Sequence, residues 1–338
     1  MINIDKKNII KKEFVTVEFF YKVVKNNFKL TLFTDESGFD RKIFESHLHR
    51  PGLALAGFVG LFSYSRVQIF GNTEMKYLNK RTEQEKIDAL KRIFEFEIPC
   101  IILTDNNQPF PEMIELANEK HIPMFGSQYS TTKISFLITD FLDDQFAQKV
   151  SIHGSFVDVY GIGMLFIGKS GIGKSEVALD LVERGHRLVA DDVVIITRKG
   201  EGVLIGAGTE LVKHYMEVRG IGLVDVKSIF GVRAIRFQKR LEVVVELEIW
   251  DEKVEYTRTG LDNLFINILD VEIPLIKLPI IPGKNITVIS EVIALNYLLK
   301  HYGYEPAKIF KKRLEEKIAN KNNSEDNRFI DYFEHDFE

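Results

Sequence analysis

The spacing of apolar residues divides the chain into runs of two periods. Met164-Leu165-Phe166-Ile167 is an uninterrupted apolar run of strand type, and Val177, Ala178, Leu181 and Val182 recur at helical spacing. A strand, a glycine-rich break and a helix are therefore predicted in that order. Gly185 ends the helix as a C-cap, and Leu188-Val189-Ala190 begins a second strand that finishes on Asp191-Asp192. In the amino-terminal half, residues 14–19 alternate and read as a strand, as do residues 30–33 and 66–71. Helical periodicity follows over 82–94 and 110–119, with short buried-strand candidates at 98–103 and 122–125. Strands alternating with helices imply a small sheet with helical cover. A helix from Thr131 through Phe146 carries the apolar stripe Ile134, Leu137, Ile138, Phe141 and Leu142, and reads as a core or docking helix between two domains.

Beyond Asp192, residues 193–196 continue a strand, 199–202 form a turn, and Gly206-Ala207-Gly208 reads as a loop. Residues 217–226 read as a hairpin with one acid and one base before two glycines. Residues 241–249 set Val243, Val245, Leu247 and Ile249 against Glu242, Glu246 and Glu248, which predicts a half-exposed strand with a wet glutamate face. A proline-punctuated extended stretch covers 273–285, and helices are expected over 288–302 and 310–318. The predicted fold class is α/β in two domains, 1–145 and 146–320, followed by a polar acidic tail at 321–338.

Composition narrows the classes. At 338 residues the chain is long enough for two cores, and 45% hydrophobic with 28% charged residues is ordinary for a globular protein. A net charge of −4 gives no sign of nucleic-acid binding. The lone cysteine, Cys100, lies in an apolar run, excludes an internal disulfide framework and suits a reducing compartment. The first residues carry positive charge without a following apolar segment, and no apolar run is long enough to span a bilayer, so a cytoplasmic protein is expected. His47, His49 and His121 lack a metal-binding spacing and read as structural, and Asn72-Thr73-Glu74 reads as a polar turn or helix cap.

The chemistry concentrates in one place. Gly168-Lys169-Ser170-Gly171-Ile172-Gly173-Lys174-Ser175 fits G-x-x-x-x-G-K-[ST] without mismatch, between a predicted strand and a predicted helix. Backbone N–H groups and the helix dipole at such a junction favour phosphate. Lys174 is placed to reach the outer phosphates, and the Ser175 hydroxyl to ligate Mg²⁺. Asp191 and Asp192, at the carboxyl end of the next strand, supply a carboxylate that can hold Mg²⁺ or accept a proton from an attacking hydroxyl. His153-Gly154 ends another predicted strand and sets an imidazole beside a turn.

Taken together, His153-Gly154, the phosphate loop, residues 185–192 (Gly-His-Arg-Leu-Val-Ala-Asp-Asp), Glu217-Val218-Arg219-Gly220-Ile221-Gly222, Arg258 before Gly260 and residues 279–285 resemble the bacterial HPr kinase/phosphorylase family. Those enzymes phosphorylate a serine of the phosphocarrier protein HPr, regulate carbon metabolism and can run the reverse phosphorolysis. The resemblance implies a first domain like the amino-terminal domain of cell-wall precursor ligases. It implies a second domain of the phosphoenolpyruvate-carboxykinase-like P-loop kinase type, ATP or pyrophosphate as donor, and a homohexamer. It further implies Glu217 as second Mg²⁺ ligand beside Ser175, and an active-site arginine at Arg258. It puts His153 beside the phosphates, and residues 216–225 in a segment used in both directions of catalysis. In the expected mechanism Lys174 holds the phosphates, Asp191 accepts the serine proton (Asp192 being a neighbour able to share that role), and Arg258 and His153 offset charge on the transferred group. One departure stands out. The family's dephosphorylation segment usually has arginines flanking its Pro-Gly, whereas here Ile281 precedes Pro282 and Lys284 follows Gly283, which makes kinase activity a safer expectation than phosphorolysis. Kinases of small metabolites and nucleotide-dependent regulators remain alternative classes for the loop itself.

Overall fold

A computed structural model describes residues 9–200, 202–209, 213–250, 264–281 and 283–321. They divide into two compact units, one built mainly on Ile9–Lys149 and the other on Val150–Ile196 and the residues from Gly202 onward. Arg258, Pro282 and all but the first residue of the expected tail lie outside the described residues.

The first unit is an open five-stranded sheet in the order Leu30–Leu32, Met124–Ser127, Ile101–Leu103, Val67–Phe70, Leu48–His49. The last four run parallel, and Leu30–Leu32 is antiparallel at one edge. Ile101–Leu103 is buried at every position, as expected of a central strand covered on both faces. One face packs against helices Asn72–Asn79, Glu83–Phe94 and Pro111–Glu119 through Leu78, Leu90, Ile93 and Met113. The other packs against Val17–Val24 and Thr131–Phe146 through Phe20, Val24, Ile134, Ile138 and Leu142. Thr82 caps Glu83–Phe94 by accepting from the Glu85 N–H while Glu85 reaches back, a capping box.

The second unit is organised on a six-stranded sheet ordered Arg187–Ala190, Ser155–Val159, Ile162–Gly168, Val243–Ile249, Val271–Ile280, Leu264–Ile268. Ile162–Gly168, Val243–Ile249 and Val271–Ile280 are parallel, whereas Ser155–Val159 is antiparallel to both of its neighbours. One face holds the helices Lys174–Glu183 and Ile286–His301, with Met164, Phe166, Val177, Leu181, Val245 and Ala294 in a common core. On the opposite face, Phe156, Leu165, Ile167 and Val244 meet Val194, Ile196 and Leu204. Glu291 of Ile286–His301 takes a bidentate pair from Arg184 at 3.0 and 2.7 Å and shares a hydrogen bond with the buried His186 ring at 3.0 Å, so the carboxyl end of Lys174–Glu183 is pinned to that helix.

Three expectations need correction. Residues 14–19 are mostly not a strand: only Val15–Thr16 is extended, and the Thr16 hydroxyl accepts from the Phe19 N–H to start helix Val17–Val24. The alternation there coincides with Val17, Phe20 and Val24 buried at helical spacing. Of the two readings of Asn72-Thr73-Glu74, turn or helix cap, the cap holds: the Glu74 carboxylate takes the Gly71 N–H at 3.0 Å and the Arg50 guanidinium at 2.8 Å, and the helix Asn72–Asn79 follows. Gly206-Ala207-Gly208 belongs to the strand Val203–Gly208, paired with Gln238–Arg240. The Phe156 ring lies where a side chain on Gly206 would project, so glycine serves close approach there and not chain reversal. Finally, Val243–Ile249 is flanked by strands on both sides and buried over its first five positions, so Glu246 is not wet but buried, 3.7 Å from Lys277.

Candidate active site

The phosphate loop leaves the carboxyl end of Ile162–Gly168, and Lys174 and Ser175 open the helix Lys174–Glu183. Ser155–Val159 lies antiparallel between Ile162–Gly168 and Arg187–Ala190, so the latter two point the same way. The Asp191-Asp192 step therefore reaches the same end of the sheet as the loop, with the amino end of Ser155–Val159 between them. At that end the Ser155 hydroxyl donates to Asp191 Oδ1 at 2.5 Å, and the Ser175 hydroxyl donates to the same oxygen at 3.1 Å. Asp191 is 3% exposed, and its buried Oδ2 has no close hydrogen-bond partner among the described residues. Burial pushes its carboxyl above the ordinary value, against the pull of both hydroxyls and of the Asp192 and Glu217 backbone N–H groups.

Asp192 turns the other way. Its φ of +63° is a conformation that aspartate tolerates better than most residues. Its side chain is 68% exposed, and Oδ1 lies 3.7 Å from His153 Nδ1. The Gly154 N–H donates to the Asp192 carbonyl at 3.1 Å, which ties the His153-Gly154 turn to the aspartate step.

Lys174 Nζ folds back onto the loop, donating to the Gly168 carbonyl at 3.3 Å and the Lys169 carbonyl at 3.2 Å. Gly171 has φ +80°. Gly168, Gly173, Lys169, Ser170 and Ile172 complete the loop. The structure thus brings together the loop, Lys174, Ser175 and Asp191, with the exposed pair His153 and Asp192 at the adjoining step. Glu217 lies on the exposed face of Tyr215–Val218, half of a hairpin with Gly222–Asp225, and its backbone N–H faces Asp191. Arg258 is outside the described residues.

Sequence reasoning missed Ser155. Its hydroxyl matters only because a strand of opposite direction ends next to Asp191, and the two are 36 residues apart. Reasoning from spacing also left the two aspartates equivalent, which the structure separates by burial.

A strand, phosphate loop and helix backed by a buried carboxylate define the class as a P-loop phosphotransferase. Residues 15–142 match the HPr Serine kinase N terminus and residues 144–314 the HPr Serine kinase C-terminal domain. The HPr kinase/phosphorylase of Chloroherpeton thalassium is 56% identical over 98% of this chain and 99% of its own length. That of Prosthecochloris aestuarii is 52% identical over 100% of both chains. The solved structure of the Hpr(Ser) kinase/phosphatase from Coxiella burnetii, 33% identical, aligns with 47% of this chain and 97% of that one at a TM-score of 0.42. The chain belongs to the HPr serine kinase family.

Proposed function

We propose that this chain phosphorylates a serine of the phosphocarrier protein HPr, with ATP or pyrophosphate as donor, and acts as a regulator of carbon metabolism. The observation that carries the reading is the convergence of Lys174, Ser175 and Asp191 on one phosphate loop, in a chain that belongs to the HPr serine kinase family throughout its length. Lys174 leaves the loop carbonyls to engage the donor phosphates. A Mg²⁺ ion fits the site: Asp191 Oδ2 is a buried oxygen without a close hydrogen-bond partner among the described residues, and Ser175 supplies a second hard donor beside it. Ser175 and Asp191 would hold the ion with Glu217 reaching in from the hairpin, and the ion, when bound, offsets charge on the donor phosphates.

The proton acceptor expected at Asp191 is better served by Asp192. Asp191 is almost wholly buried and already bonded to two hydroxyls, so the hydroxyl of a protein substrate meets the exposed carboxylate of Asp192 first. Asp192 is exposed beside it and faces His153. In the forward reaction the serine oxygen bonds to the terminal phosphorus, its proton passes to Asp192, and the bond to ADP breaks. In reverse, inorganic phosphate attacks the phosphoserine phosphorus, Asp192 returns the proton to the serine oxygen, and pyrophosphate leaves. His153 steadies Asp192 and offsets charge near the transferred group. Arg258 supplies a further cation in this reading.

The finer features follow the family resemblance. They are a homohexamer in the cytoplasm, a first domain of the cell-wall-ligase type and a second of the phosphoenolpyruvate-carboxykinase-like type, meeting near residues 145–146. Among the described residues no helix is long and apolar enough to cross a membrane.

The test is a two-way assay on purified protein. HPr with ATP and Mg²⁺ should become seryl-phosphorylated, and seryl-phosphorylated HPr with inorganic phosphate should release pyrophosphate if Ile281 and Lys284 are tolerated. Phosphorylation without pyrophosphate release leaves a one-way kinase. No reaction in either direction sinks the reading.

A further inference from the structure

The hairpin Tyr215–Val218/Gly222–Asp225 is fixed to the phosphate-loop helix from below: Met216, Val218 and Val224 share a core with Val177, Ala178 and Leu181. Its turn, Arg219-Gly220-Ile221, is closed by the Ile221 N–H donating to the Val218 carbonyl at 3.1 Å. That packing delivers Arg219 onto the loop. A Cβ built on Gly171 would stand 2.6 Å from Arg219 Nη1, and Nη2 lies 3.4 Å from the Ser170 hydroxyl. Gly171 is favoured by its left-handed φ, and the guanidinium occupies the space beside its Cα. Among the described residues no carboxylate forms an ion pair with Lys169, Lys174 or Arg219. Three cations thus gather about one loop of outward N–H groups, an arrangement that repels itself until an anion arrives.

We propose that Arg219 binds the phosphate chain of the donor and is the residue that couples the hairpin to nucleotide loading. This rests on the loop being the donor site. The guanidinium stands over the loop from the hairpin side, and Lys174 from the helix side, so a di- or triphosphate is gripped from two directions. Arginine suits the place because its planar fork can take two phosphate oxygens at once, which a lysine cannot do. Arg219 engaged on the phosphates adds a second tether between the hairpin and the loop, beside their shared core. Glu217, two residues earlier on the hairpin's first strand, is then held beside Asp191. The ligand chemistry is a linked pair of phosphates, shared by ATP and pyrophosphate, and the nucleoside contributes nothing to this contact.

Arg219→Gln and Arg219→Lys test it, read by calorimetric titration with pyrophosphate, ATP and AMP and by turnover on HPr. Arg219 is exposed, so both variants should keep the wild-type melting temperature without ligand. Arg219→Gln should bind pyrophosphate and ATP roughly tenfold or more weakly, the loss expected of one charge-assisted contact, with AMP little changed. Arg219→Lys should recover part of the binding and less of kcat. Unchanged pyrophosphate and ATP affinity in Arg219→Gln overturns the proposal, and so does an equal loss for all three ligands. If wild-type protein binds pyrophosphate but labels no HPr, the kinase reading fails while the binding arm still decides the role of Arg219.

Discussion

Asp191 and Asp192 are consecutive residues with opposite surroundings, one sealed under the hydroxyls of Ser155 and Ser175 and the other open to solvent beside His153. The positive φ at Asp192 accompanies the reversal, and one strand end thus presents a buried and an exposed carboxylate.

Separate substitution should therefore give separate defects. Asp192→Asn is expected to slow phosphorylation of HPr by about 10²–10⁴-fold, the usual worth of a general base, with Mg²⁺-ATP affinity near wild type. Asp191→Asn is expected to weaken ATP binding chiefly when Mg²⁺ is present. Rapid-quench turnover together with titrations with and without Mg²⁺ would tell them apart. Normal turnover in Asp192→Asn would return the base to Asp191.

Among the described residues, Lys174 Nζ hydrogen-bonds only to loop carbonyls. Lys174→Met should weaken both ATP and pyrophosphate by roughly tenfold or more, since a charge-assisted phosphate contact is lost without a new clash. Equal affinity in the two proteins, measured by titration, would show that Lys174 never leaves the loop.

Glu291 ties the far end of the phosphate-loop helix to Ile286–His301. Hydrogen bonds from Arg184, with support from His186, hold its carboxyl below the ordinary value of 4.5. A depressed pKa means that the folded state prefers the ionised form. The stabilisation is thus present above pH about 4.5 and is lost as pH falls through the lower, folded value. Glu291→Gln should melt at a lower temperature at neutral pH and show a shallower decline in acid. Parallel acid-unfolding curves for the two proteins would argue against this linkage.

Cys100 is wholly buried, and burial pushes its thiol up, away from the reactive thiolate. A thiol reagent should leave native protein unmodified and label one site only in denaturant. Fast labelling without denaturant, followed by absorbance, would mean that the first unit opens readily.

What the sequence made legible was local. The phosphate loop, its helix, the Gly185 stop and the helix Thr131–Phe146 all depend on residues within a few turns of one another. The direction of Ser155–Val159 was not legible, because its partners Ile162–Gly168 and Arg187–Ala190 lie on both sides of it in space and both follow it in sequence. For the same reason the role of Ser155 could not be seen. The glutamates of Val243–Ile249 looked wet because alternation reports two faces and not which of them faces water; the flanking parallel strands decide that. Thr16 was ambiguous in another way, since a strand of alternating residues and a capped helix start can share the same letters.

His153 closes the strand Lys149–His153 in one sheet and Ser155 opens Ser155–Val159 in the other, with a single residue between them. One added residue would either turn Ser155 to the opposite face of its strand, away from Asp191, or carry His153 away from Asp192. Surface turns elsewhere in the chain can lengthen over evolutionary time at little cost. This junction cannot, so variation in chain length among relatives should fall everywhere except here.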